Sequence, residues 1–341
     1  MHRWHDITKA DKQTAYNQIS RRIKLPAYAV EKDWWVVQTL TILFELEISK
    51  HLVFKGGTSL SKSWGLIERF SEDVDLAVDR AFYGFEGELG KERRTKLRKK
   101  ANLYIRETLF PELQKAFAEK GLTDVKIELE EMTTGDQDPV IINVNYPNVV
   151  ESPGYIRPRV QIEIGCRSLM EPFEKRPLLS LVDETYPEAQ FSQKAVHIPS
   201  VVPERTFLEK IFLLHEEFKR PEDKIRVNRL SRHLYDLYIL SKTKFAIKAL
   251  SNKELYEILV RHRFNFTRLG GVDYNFHQPQ TINFIPDSVL MPAWVADYKT
   301  MQEQMIHGES PVFEELIDAL KKLNKQINSL TWKMDSVFPT L

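Results

Sequence analysis

Hydrophobic and polar positions follow two different patterns along the chain. Up to about residue 200, helical spacing is interspersed with short runs in which apolar and polar residues alternate, as in strands, and beyond Pro203 the spacing is almost entirely helical. The elements predicted before this point are helices over 7–22, 27–47, 58–69 and 91–119 and strands over 51–55, 73–78, 124–130, 139–145, 159–164 and near 194–198. Those predicted after it are helices over 204–219, 228–241, 252–264, 289–306 and 311–328.

This change of pattern predicts an α/β (α+β) fold, in which a mixed sheet flanked by helices is followed by a helical C-terminal domain. The 341 residues suffice for two domains at roughly 150 residues each. We therefore expect one domain over 1–200 and a second, helical domain over 201–341. Residues 265–288, which include Gly270-Gly271 and two prolines, are expected to form an ordered irregular connection.

Composition and charge exclude several classes of protein. The 49 lysine and arginine residues nearly balance the 48 acidic ones, which excludes a globally basic nucleic-acid coat protein but leaves room for a local basic patch. The single cysteine, Cys166, excludes an internal disulfide and a multi-cysteine zinc site, and it fits a reducing compartment. No apolar stretch approaches the roughly 18 to 20 residues that span a bilayer, so we expect a cytoplasmic protein without a membrane segment.

Two aspartates on the predicted strand over 73–78 point to the same side of the sheet. Because side chains alternate along a strand, Asp73 and Asp75 share one face, while Val74 and Leu76 face the core. Two carboxylates aimed at one point repel each other unless a cation lies between them. Such oxygen ligands suit Mg²⁺, which takes one or two carboxylates together with phosphate oxygens. The alternative is an aspartate pair that is simply solvated.

A glycine pair, Gly56-Gly57, lies between the predicted strand over 51–55 and the helix that Thr58 or Ser59 would cap. Glycines let a ligand approach the backbone closely, and a helix N-terminus favours phosphate. Together with the aspartate pair, this turn predicts a site for a triphosphate and a metal ion. The pair can also be only a turn, and the residues alone leave both interpretations open.

The glycine turn and the aspartate pair, with their neighbours, resemble the AbiEii/AbiGii toxin family of nucleotidyltransferases, which belongs to the polymerase-β-like superfamily. The segments that carry the resemblance are FKGGTSL at 54–60, RFSEDVDL at 69–76, VEKDWW at 30–35, ERTFLEK at 204–210, RHLYDL at 232–237, and Asp297-Tyr298 with Met301. The first two segments form a highly specific pair. The resemblance extends from about residue 26 to about residue 325.

The resemblance implies a polymerase-β-like nucleotidyltransferase fold and a role for individual residues. Those implied to contact the nucleotide are Lys55, Gly56, Gly57, Thr58, Ser59, Ser71 and Lys210, the last through the triphosphate. Asp73 and Asp75 would hold Mg²⁺ or Mn²⁺, and Asp236 would complete the active site. The superfamily often adds a third carboxylate from a later strand, for which Glu163 is the best local candidate, although a solvated strand residue is the alternative.

The activity implied by the resemblance is metal-dependent transfer of a nucleoside monophosphate from an NTP to an acceptor hydroxyl. The implied acceptor is RNA, specifically the 3′ end of tRNA, and the implied role is that of a toxin opposed by an antitoxin protein, in a toxin–antitoxin or phage-defence (abortive infection) pair. Two alternatives stay open. One is a nucleotide-binding regulatory module without turnover, and the other is transfer to the hydroxyl of a protein or a small molecule.

A basic run over 91–100 (KERRTKLRKK) offers a surface for an RNA backbone. Its RNA-contact candidates are Arg93, Arg94, Arg98 and Lys99. The alternative is a solvated helix face. If the run binds RNA, neutralising these side chains should weaken RNA modification.

The helical half offers a lysine and a carboxylate at helix edges. Lys210 falls at the border of the apolar stripe of its helix, where a lysine can lay its stem on apolar surface and deliver its charge to a cleft. Arg229, His233 and Asp236 share one edge of the next helix, so the carboxylate should stay ionised. A snorkelling lysine and a structural polar cluster are the alternatives. His215 is expected at the helix surface.

Overall fold

The computed structural model describes residues 3–71, 73–152 and 157–339. The chain divides into two compact units, of which the first comprises Met1–Gly65 and Phe70–Val201 and the second Leu66–Arg69 and Val202–Leu341. Within the described ranges, no helix combines the length and the apolar content that crossing a bilayer requires.

A mixed sheet forms the centre of the first unit. Its strands, as far as the chain is described, are β1 (Leu52–Lys55), β2 (Asp73–Val78), β3 (Lys126–Leu129), β4 (Val140–Asn145), β5 (Arg159–Gly165), β6 (Phe173–Leu178) and β7 (Val196–Val201). They lie in the order β3-β4-β5-β2-β1-β7-β6. Strand β2 is central, antiparallel to β1 and parallel to β5. Its Val74 and Leu76 are fully buried, which leaves the alternate positions for polar residues.

The helices of the first unit are α1 (Lys9–Ile23), α2 (Ala27–Glu45), α3 (Gly56–Lys62), α4 (Lys91–Tyr104), α5 (Phe110–Glu119) and α6 (Leu181–Thr185). Helix α2 is buried along most of its length and contacts β5 and α5. A π-helical turn over Ile105–Leu109 connects α4 to α5, so the single long helix predicted over 91–119 is present with this one irregularity.

The second unit is helical among its described residues. Its helices are α7 (Pro203–Glu217), α8 (Ser231–Ser241), α9 (Lys244–Ser251), α10 (Lys253–Phe266), α11 (Met291–Gln304) and α12 (Phe313–Asn328). Between α10 and α11 the chain is irregular apart from a short turn over Tyr274–His277, as the glycines and prolines predict. Helix α7 contacts α8, α9 and α10.

The fold class is confirmed, and most predicted elements are present. The helix predicted over 58–69 is wrong at both ends, because α3 begins at Gly56 and ends at Lys62, and neither Thr58 nor Ser59 caps it. Strand β6 is missing from the prediction because its sequence (FEKRPL) does not alternate. It lies at the edge of the sheet, where charged residues and a proline are tolerated.

Candidate active site

The glycine turn lies against the carboxylate strand. Strands β1 and β2 pair so that Lys55 is opposite Asp75, with Lys55 Nζ 3.8 Å from Asp75 Oδ1. The next residue, Gly56, has φ +79°, and a Cβ at this position would lie 2.0 Å from Asp75 Oδ2. The Asp75 carboxylate therefore occupies space that only a glycine leaves free.

A third carboxylate, from β5, lies on the same face of the sheet as the carboxylates of β2. Asp73 is opposite Gln161 and Asp75 is opposite Glu163. Burial raises the pKa of Glu163, and the negative charges of Asp75 and Asp73 raise it further. Gln161 Nε2 donates to Glu163 Oε1 at 3.1 Å, and Arg159 Nη2 donates to Gln161 Oε1 at 2.9 Å. The face thus concentrates negative charge that a cation would relieve.

These carboxylates fit a metal ion that binds together with a nucleotide. Among the described residues, no three His, Cys, Asp or Glu side chains gather closely enough to hold a metal by themselves. Mg²⁺ does not need such a cage, since one or two carboxylates and the phosphate oxygens of a substrate suffice. Asp73 and Asp75, on one face and beside the glycine turn, would supply that smaller set.

The residues after the glycine turn have different surroundings. The Thr58 hydroxyl donates to the Asp73 carbonyl oxygen and lies 2.9 Å from Ser71 Oγ, so this side chain ties α3 to the start of β2. The Ser59 side chain is buried, and its Oγ has no hydrogen-bond partner in the described part of the chain. A buried hydroxyl without a partner is costly, and a ligand oxygen would satisfy it. Glu72, within the same motif, lies outside the described residues.

In the second unit, Asp236 binds two cations at once. Arg69 donates from Nε to Asp236 Oδ1 at 2.7 Å and from Nη2 to Oδ2 at 2.8 Å, and Lys210 Nζ lies 2.9 Å from Oδ2. Burial alone would raise the pKa of Asp236, but Arg69 and Lys210 hold it well below its usual range. Burial and the Lys210 charge lower the pKa of His233, whose Nδ1 lies 3.2 Å from Lys210 Nζ.

Two expectations about the helical half are wrong. Arg229 does not share a helix edge with Asp236, because α8 begins only at Ser231. Arg229 has φ 62°, and its backbone N–H is donated to Asp297 Oδ1. His215 is not at the surface, since its ring is fully buried and accepts the backbone N–H of Asn283.

The basic run forms most of α4, and its candidate RNA-contact residues differ in exposure and in ion pairing. Arg93 and Lys99 are exposed, and Arg94 is half-buried. Arg98 is already paired, because its Nη2 lies 2.6 Å from Asp136 Oδ2. Arg98 therefore has less capacity for an RNA phosphate than its sequence position suggests.

Sequence reasoning assigned no function to Arg69, Arg159 or Gln161. Arg69 stands within the motif that contains the aspartates, yet its partner is 167 residues away. Arg159, Gln161 and Glu163 alternate with buried apolar residues along β5, and this alternation was the available signal for their shared face. Their hydrogen bonds depend on side-chain geometry that a pattern of residue types does not contain.

Comparisons with known proteins identify the family of this chain. The family model described as nucleotidyl transferase AbiEii toxin, Type IV TA system, matches residues 40–322. Among solved structures, MenT4, a nucleotidyltransferase toxin from Mycobacterium tuberculosis H37Rv, is similar with a TM-score of 0.47 and 17% sequence identity, over 95% of this chain and 98% of that one. No curated protein sequence matches. On the family match, which covers most of its length, the chain belongs to the AbiEii family of nucleotidyltransferase toxins of type IV toxin–antitoxin systems.

Proposed function

We propose that this toxin acts in the cytoplasm, where it uses Mg²⁺, or Mn²⁺ in its place, to transfer a nucleoside monophosphate from an NTP to RNA, at the 3′ end of tRNA. An antitoxin protein would oppose it. The observation that supports the proposal most is the position of Asp75, which lies against Gly56 and shares its face with Asp73 and Glu163. This arrangement brings metal-ligating oxygens to a turn that can approach phosphates.

In this proposal the acceptor hydroxyl oxygen attacks the α-phosphorus of the NTP. The bond from that phosphorus to the bridging oxygen of the β-phosphate breaks, pyrophosphate leaves, and the hydroxyl proton passes to solvent. A metal ion held by Asp73 and Asp75 would lower the pKa of the hydroxyl and neutralise charge on the attacking and leaving oxygens. The backbone at Gly56 and Gly57 would lie close to the phosphates, and the Ser59 hydroxyl would donate to one of them.

The remaining nucleotide contacts follow from the family resemblance. Lys55 and Thr58 would flank the phosphates, and Ser71 would lie beside them, with Thr58 also holding β2 in place. Lys210 would bind the triphosphate, and Asp236 would complete the active site. If the Lys210 ammonium left Asp236 and bound a phosphate instead, the Asp236 carboxylate would stay paired, because Arg69 binds it through both oxygens. The cost of releasing Lys210 is lowered accordingly.

The test is incubation of the full chain with Mg²⁺, each labelled NTP in turn and total RNA. We expect label in RNA and release of pyrophosphate, and mass spectrometry of the RNA identifies the modified end. Asp73→Asn and Asp75→Asn should each abolish transfer, while Glu47→Gln, which alters an exposed carboxylate, should not. NTP binding without pyrophosphate release would instead indicate a regulatory module, and label in protein or in a small molecule would overturn the RNA assignment.

A further inference from the structure

A cavity of about 480 Å³ lies beside the π-helical turn between α4 and α5. Arg106 lines it from this turn, and the chain from Leu129 to Gly135 lines it on the side of β3. Single π-turns inside longer helices occur frequently at functional sites, because they alter which side chains face a neighbouring segment. The residues that line it are distinct from those implied to contact the nucleotide or the metal ion.

Three residues of the long helix, spaced four apart, face the loop that follows β3. Arg98 binds Asp136, and Asn102 Nδ2 donates to the Gln137 carbonyl oxygen at 3.4 Å, so both hold the loop in place. Arg106, the third, is exposed and has no hydrogen bond or ion pair with the described residues. Arg98 and Asn102 thus hold the loop that forms one wall of the cavity, and the Arg106 guanidinium is available to a ligand.

The lining selects a ligand that carries both negative charge and N–H donors. Arg106 attracts an anion, but the exposed carboxylates of Glu130 and Glu131 would repel a simple one. Thr133 and Thr134 add hydroxyls. A nucleotide satisfies this mixture, since its phosphate suits arginine and its base amino groups suit carboxylates. The volume also falls within the roughly 300 to 1,000 Å³ of small-molecule sites.

Glu130, which lines the cavity, is linked by a hydrogen bond to the face of the sheet that carries the carboxylates. Asn143 Nδ2 donates to Glu130 Oε2 at 3.5 Å, and Asn143 is opposite Gln161, which in turn is opposite Asp73. From β3 to β2 there are three strand spacings, or about 14 Å. An RNA whose terminal hydroxyl lay at Asp73 would therefore reach the cavity with a nucleotide upstream of its last one.

We propose that this cavity binds an upstream nucleotide of the acceptor RNA, with Arg106 on a phosphate and Glu130 and Glu131 on the base. The inference rests on the proposed function, because it assumes an RNA acceptor. Exposed Arg93 and Lys99 on α4 would continue the contact along the RNA backbone.

The experiment compares Arg106→Ala with Arg22→Ala, which removes an exposed helical arginine elsewhere in the first unit. Binding of a fluorescein-labelled tRNA pool is measured by anisotropy without NTP over a series of salt concentrations, and binding of a fluorescent NTP analogue is measured separately. For Arg106→Ala we expect RNA binding about 5- to 10-fold weaker, a log–log salt slope lower by about one, and unchanged NTP affinity. Arg22→Ala should match the wild type in all three.

A second variant tests the base contact. Glu130→Gln combined with Glu131→Gln should change the preference among acceptor RNAs that differ only in the nucleotides before the last, without altering NTP affinity. The inference is overturned if Arg106→Ala binds RNA with the wild-type affinity and salt slope, or if it weakens NTP binding instead. Failure of the proposed function looks different, because wild-type protein would then modify no RNA at all.

Discussion

The Asp33 carboxylate of α2 binds the Lys62 ammonium of α3, with 2.7 Å between Asp33 Oδ1 and Lys62 Nζ. Both side chains are largely buried, at 8% and 14% exposure. The other carboxylate oxygen of Asp33 accepts the Leu181 N–H at the start of α6, also at 2.7 Å. Helix α3 has only seven residues, which include the glycine pair and Ser59. One carboxylate of the segment VEKDWW therefore fixes the position of the helix on which the glycine turn depends.

Substitution of this carboxylate tests its positioning role. Asp33→Asn keeps an oxygen for the Leu181 N–H but leaves the Lys62 ammonium buried without its ion-pair partner. We expect the free energy of unfolding, measured by urea denaturation, to fall by about 3 kcal/mol. NTP affinity should weaken as well, because α3 loses its support. The double variant Asp33→Asn with Lys62→Met should recover much of the stability, and a wild-type value for Asp33→Asn alone would show that the pair does not position α3.

Substitution of Gly56 tests the contact between the glycine turn and Asp75. Gly65 serves as the comparison, because it also has a positive φ but lacks close neighbours. Gly56→Ala places a Cβ where Asp75 Oδ2 lies, whereas Gly65, with φ +61°, has no atom within 4 Å of the corresponding position. Both substitutions carry the strain of a positive φ. We expect only Gly56→Ala to displace the Asp75 carboxylate and to reduce nucleotidyl transfer, by about 100-fold. Equal losses of activity in the two variants would mean that contact with Asp75 is irrelevant to the reaction.

Local patterns in the sequence could predict the elements of this site but not its pairings. Strand β2 is predictable because the alternation of DVDLAV is a property of six adjacent residues. The position of Glu163 opposite Asp75 depends on the register between strands that are distant along the chain. Arg69 is a sharper case, since residue type alone does not show that its partner is Asp236 rather than a phosphate. Such pairings are set by packing, which a single sequence does not encode locally.

In the cluster around Asp236, substitution of Lys210 should affect activity more than stability, whereas substitution of Asp236 should strongly affect stability. Lys210→Met leaves the Asp236 carboxylate paired with Arg69, so the free energy of unfolding should fall by only about 1 kcal/mol. Asp236→Ala removes the carboxylate that the two buried cations share, and we expect a loss of about 3 to 5 kcal/mol. If Lys210 binds the triphosphate, Lys210→Met should nevertheless lower kcat by about 100- to 1,000-fold. A variant with wild-type kcat would assign Lys210 a structural role.

Substitution of Glu163 tests whether this residue is a third metal ligand or a solvated strand residue. Its carboxylate is opposite Asp75, and the raised pKa reflects burial together with the charges of Asp75 and Asp73. Glu163→Gln keeps the shape of the side chain and removes a negative charge from the face. If Glu163 helps to hold the ion, the Mg²⁺ concentration for half-maximal transfer should rise by about 10-fold, and Mn²⁺ binding measured calorimetrically with a bound NTP should weaken in parallel.

Glu128→Gln, which alters an exposed carboxylate on the same sheet face, is the matched control. Identical metal requirements in the two variants would leave Asp73 and Asp75 as the ligands and Glu163 as a spectator.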